Sequence, residues 1–133
     1  MPEQIKVLVV DDDLGMRTTT VEILGGAGYA VTEACDGDVA LERLASDEPH
    51  VVLLDVRMPG RDGISVVETI DPAPPPPEVL LVSAYDIGPD VRSQLGPRVQ
   101  RYLRKPVPPP RLLEAVSDAA GRARARSRGD EVE

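Results

Sequence analysis

Residues 5–13 read IKVLVVDDD, a nearly unbroken apolar run that ends in three carboxylates. The run is far shorter than the roughly 18 apolar residues that cross a bilayer. It also lacks the polar alternation of a half-exposed strand, so it reads as a strand buried on both faces. Ile5–Val10 is therefore a predicted central strand, with Asp11, Asp12 and Asp13 at its carboxyl end.

The same alternation of apolar run and helix-period segment repeats downstream. A helix is predicted from Leu14 to about Gly25, with Leu14, Thr18, Val21 and Leu24 on one stripe and Gly25, Gly26 and Gly28 ending it. Asp13 is the predicted N-cap of that helix. Ala30–Cys35 is a second strand, with Cys35 read as a buried filler, and Asp36 caps a helix that carries Ala40, Leu41 and Leu44 inward. Val51–Leu54, Val79–Val82 and Val99–Leu103 are the remaining predicted strands. Predicted helices cover 61–70, Pro89–Leu95 and 111–124, the last with Leu112, Leu113, Val116, Ala119, Ala120 and Ala123 as its stripe. Five strand–helix units in succession imply an α/β fold: a doubly wound, five-stranded parallel sheet with helices on both faces. The expected strand order is 2-1-3-4-5, the flavodoxin-like (βα)5 arrangement, whose ligands sit beyond the carboxyl ends of the strands.

Composition narrows the function classes. The 133 residues make one domain's worth of chain, read here as a domain over 1–125 and a flexible charged tail over 126–133. There is no Trp and no Phe, so Val, Leu, Ile and Ala must fill the core. A single Cys excludes an internal disulfide and a cysteine zinc site. The amino terminus runs straight into a strand pattern without a signal-peptide profile, and no membrane span is expected, so the reading is cytoplasmic. A net charge of −8 argues against direct nucleic-acid binding. The alternating Arg122, Arg124, Arg126 and Arg128 form the one basic stretch, read as a solvated end. His50, the sole histidine, opens a strand and reads as structural, which leaves no built-in phosphohistidine relay. No phosphate-binding glycine loop or dinucleotide fingerprint is present. The Asp11-x-Asp13 spacing mimics a calcium loop, but its glycine, Gly15, stands one place early.

Chemistry collects at the predicted strand ends. Strand one ends in Asp11 and Asp12, strand three in Asp55, strand four in Ser83, and strand five is followed by Lys105 and Pro106. In a parallel sheet these ends share one rim. Clustered carboxylates repel one another unless a cation neutralises them, and Mg²⁺ suits a site of one or two carboxylates that keeps room for phosphate oxygens. Lys105 supplies a flexible positive charge for phosphate, and Ser83 a hydroxyl donor. A carboxylate nucleophile beside Mg²⁺, a lysine and a hydroxyl fits in-line transfer of a phosphoryl group onto Asp.

The motifs VLVVDDD at 7–13, LLDVRMPGRDG at 53–63, LVSAYD at 81–86 and RYLRKPV at 101–107 resemble the response-regulator receiver domains of two-component signalling. The resemblance spans about residues 4–125. It implies that Asp55 is the phosphoacceptor and that the chain is a signalling domain rather than an enzyme. Mg²⁺-dependent phosphorylation would be self-catalysed, and autodephosphorylation slow. It further implies that Asp12 binds Mg²⁺ directly, Asp11 largely through water, and Arg57 through its backbone carbonyl. Ser83 would turn toward the phosphoryl group, Lys105 would pair with it, Pro106 would follow a cis bond, and Tyr102 would be the aromatic switch. The implied partners are a sensor histidine kinase or phosphotransfer protein, and a downstream protein or missing output domain; abundant Arg and Pro with few Lys suggest a bacterial source. Arg57 and Tyr85 stand two residues after Asp55 and Ser83, where bulk would hinder an attacking water and prolong the phosphoryl group. The proline-rich 71–77, the short 86–97 segment and Val107-Pro-Pro-Pro depart from the family pattern on the output face. They keep open an alternative, a phosphorylation-independent adaptor with a receiver fold.

Overall fold

The computed structural model of the chain describes residues 4–71 and 75–132, with side chains as far as Arg126. Five strands, β1 (Lys6–Val10), β2 (Ala30–Ala34), β3 (Val51–Asp55), β4 (Glu78–Ser83) and β5 (Arg101–Arg104), form one sheet. The order is β2-β1-β3-β4-β5, and every pairing is parallel. The doubly wound fold expected from the sequence is therefore observed. The helices are α1 (Leu14–Gly26), α2 (Gly37–Asp47), α3 (Gly63–Thr69), α4 (Pro89–Leu95) and α5 (Pro109–Val132), with a 3₁₀ turn at Gly96–Arg98. Asp13, Asp36 and Asp62 cap α1, α2 and α3, each accepting a backbone N–H at 2.9 Å. A side-chain oxygen there satisfies one of the donors that a helix start leaves open.

Side chains alternate across the pleat, so each central strand feeds two cores. Val7, Val9, Leu53, Leu80 and Val82 pack against Leu24 of α1 and the Ala115, Val116, Ala119 and Ala120 face of α5. Leu8, Val10, Val52, Leu54 and Leu81 pack against Ala40 of α2, Val66 and Val67 of α3, and Leu95 of α4. Alanines let α5 approach closely, which suits a core without Phe or Trp. His50 is structural, as expected: its Nδ1 accepts the Lys6 N–H at 3.0 Å.

Three expectations fail. Leu14 is 66 % exposed and Met16 42 %, so the predicted stripe on α1 holds only in its second half. The helix starts beyond the carboxyl ends of the strands, and its first turn has no sheet beneath it. Cys35 lies just past the edge strand β2 and is exposed rather than buried. The basic end is not simply solvated, because Arg122 and Arg126 pair with Glu78, and α5 continues past the expected end near Arg124. The side chains beyond Arg126 lie outside the described residues.

An ion pair on a buried carboxylate fastens this helix to the sheet. Glu78 opens β4 and is 2 % exposed. Its carboxylate accepts Arg122 Nε at 2.6 Å and pairs with Arg126 Nη1 at 2.9 Å. Arg126 also donates to the Pro76 carbonyl at 3.1 Å. Spaced one helical turn apart, the two arginines share a face and bind α5 to the amino end of the sheet. Replacing both by Met strands the Glu78 carboxylate in the interior. Breaking a fully buried pair costs about 3–5 kcal/mol. Here both arginine side chains are partly exposed, so Arg122→Met/Arg126→Met is expected to lose about 2–3 kcal/mol in urea unfolding. A loss under about 1 kcal/mol would show that solvent screens the pair.

Candidate functional site

The sheet delivers four side chains to one rim. Asp11 follows β1 and Asp55 ends β3, and these strands are neighbours in register (Val10 opposite Leu54). Ser83 ends β4, and Lys105 follows β5 with its N–H donated to the Ser83 carbonyl at 2.8 Å. Only a parallel sheet brings all these carboxyl ends to the same side. Asp11, Asp55 and Ser83 are buried, and Asp12 beside them is exposed.

Lys105 Nζ donates to Asp55 Oδ2 at 3.0 Å and to Asp11 Oδ2 at 3.3 Å. Carboxylate oxygens of Asp11, Asp12 and Asp55 all lie within 4.8 Å of one another. Three hard oxygen donors this close fit a small divalent cation such as Mg²⁺, which fills its remaining positions with water. The Lys105–Pro106 peptide is cis. Gly63 opens α3 against the site, where a Cβ would overlap the Asp55 carbonyl. Its N–H donates to the Val56 carbonyl at 2.9 Å, so this glycine permits the loop to fold tightly under Asp55.

Burial pushes the Asp55 carboxyl above its ordinary value; Lys105 opposes that rise, Asp11 adds to it, and a backbone hydrogen bond from Arg57 opposes it. For Lys105, burial alone would lower the ammonium, but the hydrogen bond and charge of Asp55, with Asp11 behind it, raise it instead. Lys105 therefore stays charged, and the rim carries one fixed cation between two buried acids.

The second expected group surrounds this centre. Ser83 Oγ accepts the Tyr85 N–H at 3.0 Å. The Arg57 guanidinium stacks over the Tyr85 ring, 4.7 Å from its centroid, so these two exposed side chains stand together. Tyr102 is half-buried, with its hydroxyl enclosed and without a hydrogen-bond partner. Arg92 of α4 lies over the Tyr102 ring at 4.2 Å and donates its Nε to the Ile87 carbonyl at 2.9 Å. Arg92 had no signal in the sequence, since a lone arginine in a short helix says nothing of a ring on β5. A cleft of about 180 Å³ between α1 and α5 reaches the rim and is lined by Met16, Thr19, Thr20, Ile23 and Leu112. A larger cleft, of about 860 Å³, lies at the opposite pole beside Lys6, His50 and Pro75–Pro77, away from these carboxylates.

Comparison with known proteins agrees with this arrangement. The model of the response regulator receiver domain matches residues 7–117, and the chain belongs to that family. It is 37 % identical over 121 residues to the transcriptional regulatory protein NarL of Mycobacterium tuberculosis, covering 90 % of this chain and 56 % of that protein. It is 33 % identical over 129 residues to the response regulator MprA of Mycobacterium ulcerans, covering 97 % and 53 %. The chain thus spans about half the length of the curated relatives it matches. Among solved structures, the signal receiver domain of M. tuberculosis NarL superposes with a TM-score of 0.77 at 36 % identity, over 90 % of this chain and 98 % of that one. The receiver domain of a LuxO repressor protein from Vibrio parahaemolyticus, at 23 % identity, shares the fold with a TM-score of 0.86 over 98 % of each chain. No helix among the described residues is long and apolar enough to cross a membrane.

The raised Asp55 value has a sign that can be measured. Ionisation is less favourable in the folded chain than in the unfolded one. The stability this group contributes is full below its ordinary value of 3.8 and is lost as pH rises through the raised folded value. Asp55→Asn removes the loss. Without divalent metal, the variant is expected to melt above the wild type at pH 7, and the gap should close as pH falls toward and below 3.8. Thermal unfolding in chelator across that range checks it; a variant melting at or below the wild type at pH 7 contradicts it.

Proposed function

We propose that Asp55 accepts a phosphoryl group from a sensor histidine kinase or phosphotransfer protein, and that the resulting acyl phosphate resets a protein-interaction face built from α4, β5 and α5. The observation that carries this reading is the Lys105 ammonium shared between the buried Asp55 and Asp11 carboxylates, with Ser83 on the adjoining strand. A carboxylate oxygen of Asp55 attacks phosphorus in line, and the bond from phosphorus to the donor nitrogen breaks, leaving free histidine on the donor. Lys105 already sits on the Asp55 oxygen and is placed to follow the charge onto the phosphoryl oxygens. The Ser83 hydroxyl, now an acceptor for the Tyr85 N–H, turns to donate to the new group. Bound Mg²⁺, held by the carboxylates of Asp11, Asp12 and Asp55 and by the Arg57 backbone carbonyl, would offset the charge gathered at phosphorus. Tyr102, beside the Ser83 strand, then shifts under Arg92 and carries the change to α4. The downstream readout is a partner protein or a further output domain.

The first test is intact mass after incubation with acetyl phosphate and Mg²⁺. One added phosphoryl group is expected, absent from Asp55→Asn and from samples with chelator, together with a changed Tyr102 ring environment by NMR in the modified sample. No adduct, even with rapid quenching and a cognate kinase, would favour the phosphorylation-independent adaptor. The Arg57–Tyr85 stack generates a second expectation. If it hinders the attacking water, Arg57→Ala and Tyr85→Ala should speed loss of the phosphoryl group roughly two- to tenfold, or about 0.4–1.4 kcal/mol of barrier. Unchanged decay in both variants would remove the stack from the account of lifetime.

A further inference from the structure

Arg17 lies one turn into α1, in a stretch where Asp12, Asp13, Leu14, Gly15, Met16 and Thr18 are all exposed. Its own side chain is only 13 % exposed. It folds back beneath the exposed turn, where Nη1 donates to the Asp11 carbonyl at 2.7 Å and Nε donates to Glu33 Oε1 of β2 at 2.9 Å. A buried guanidinium needs such partners, but its choice of acceptor is informative. The Asp11 carbonyl belongs to the peptide that joins Asp11 to Asp12. That residue is held on every other side as well. Its N–H donates to the Ala34 carbonyl at 3.2 Å, Oδ1 accepts the Asp13 N–H at 2.9 Å, and Oδ2 faces Lys105.

Arg17 thus closes the last free group of Asp11 and fixes the plane of the Asp11–Asp12 peptide. Asp12, exposed and carried on that peptide, gains its place from it. We infer that Arg17, braced by Glu33, is a positioning residue that sets Asp12 for a divalent cation. The inference rests on the metal-assisted reading of the site. It differs from a purely structural role in what it predicts: cation affinity should move more than the rest of the fold does. Groups that orient a metal's ligands without touching the metal typically contribute about 10–100-fold in affinity.

The experiment is a Mg²⁺ titration of the full chain followed by backbone amide shifts, for wild type, Arg17→Met, Arg17→Lys, Glu33→Ala and Asp12→Asn, without any phosphoryl donor. Arg17→Met keeps the stem and removes both hydrogen bonds, so its dissociation constant should rise about tenfold or more. Shifts in metal-free β3, β4 and α5 should stay as in wild type. Arg17→Lys, able to reach one partner at most, should fall between. Acetyl phosphate labelling of Arg17→Met at saturating Mg²⁺ should recover toward the wild-type rate, a loss in apparent affinity rather than in maximal rate. Wild-type affinity in Arg17→Met overturns the inference. If Arg17→Met does not fold, Glu33→Ala carries the test, with an expected weakening of about threefold or more, and wild-type affinity there overturns it. If the wild type shows no Mg²⁺-dependent shifts at the rim, the metal-assisted reading itself fails, which separates that outcome from a failure of Arg17 alone.

Discussion

The ammonium of Lys105 between two buried carboxylates is the contact around which the molecule is arranged. Two acids so close in the interior repel each other and resist ionisation, and a cation from a different strand is what holds the charge there. That cation must come from the same rim, which an antiparallel arrangement of these strands would not give. Parallel pairing brings Asp11, Asp55, Ser83 and Lys105 together from four strands. The hydrogen bond from the Lys105 N–H to the Ser83 carbonyl then sets the lysine against its partners before any side-chain contact forms. Gly63 completes the arrangement by letting backbone pass where a side chain could not.

Sequence reading captured the sheet and the rim for one physical reason. β3 and β4 are buried along their whole length and β1 along nearly all of it, so they appear as unbroken apolar runs followed abruptly by polar residues. Such edges mark strand ends without any tertiary knowledge. α1 was less legible, because helical periodicity records which residues could share a face, not whether a sheet lies under that face. Cys35 misled for a similar reason: the edge strand β2 alternates only weakly between inside and outside. Glu78 and its two arginines were invisible as a group, since a charge in an apolar run and a basic helix end lie far apart along the chain. Only the packing of α5 back against β4 brings them together. Arg17, Glu33 and Arg92 share that property, each defined by a partner on another element.

The chain divides its polar chemistry between two poles. At the carboxyl ends of the strands, charge is concentrated and a lysine is shared. At the amino ends, Glu78 is fully matched by two guanidinium groups. The face between them is built from a seven-residue α4, a 3₁₀ turn and β5. Arg98 ties this turn to the end of α3 through the Glu68 carbonyl at 2.9 Å, and Gln94 reaches Glu68 Oε2 at 2.7 Å. The short helix is therefore braced at its carboxyl end by α3, and Arg92 in its middle rests on Tyr102 and on the Ile87 carbonyl.

The absence of Trp and Phe has an optical consequence. All near-ultraviolet absorption and emission of this chain arises from three tyrosines. Tyr29 packs against the core, while Tyr85 and Tyr102 each lie under a guanidinium group, one next to Ser83 and one against α4. The unlabelled protein therefore carries one chromophore beside the carboxylate rim and one against α4, with the third ring as an internal reference.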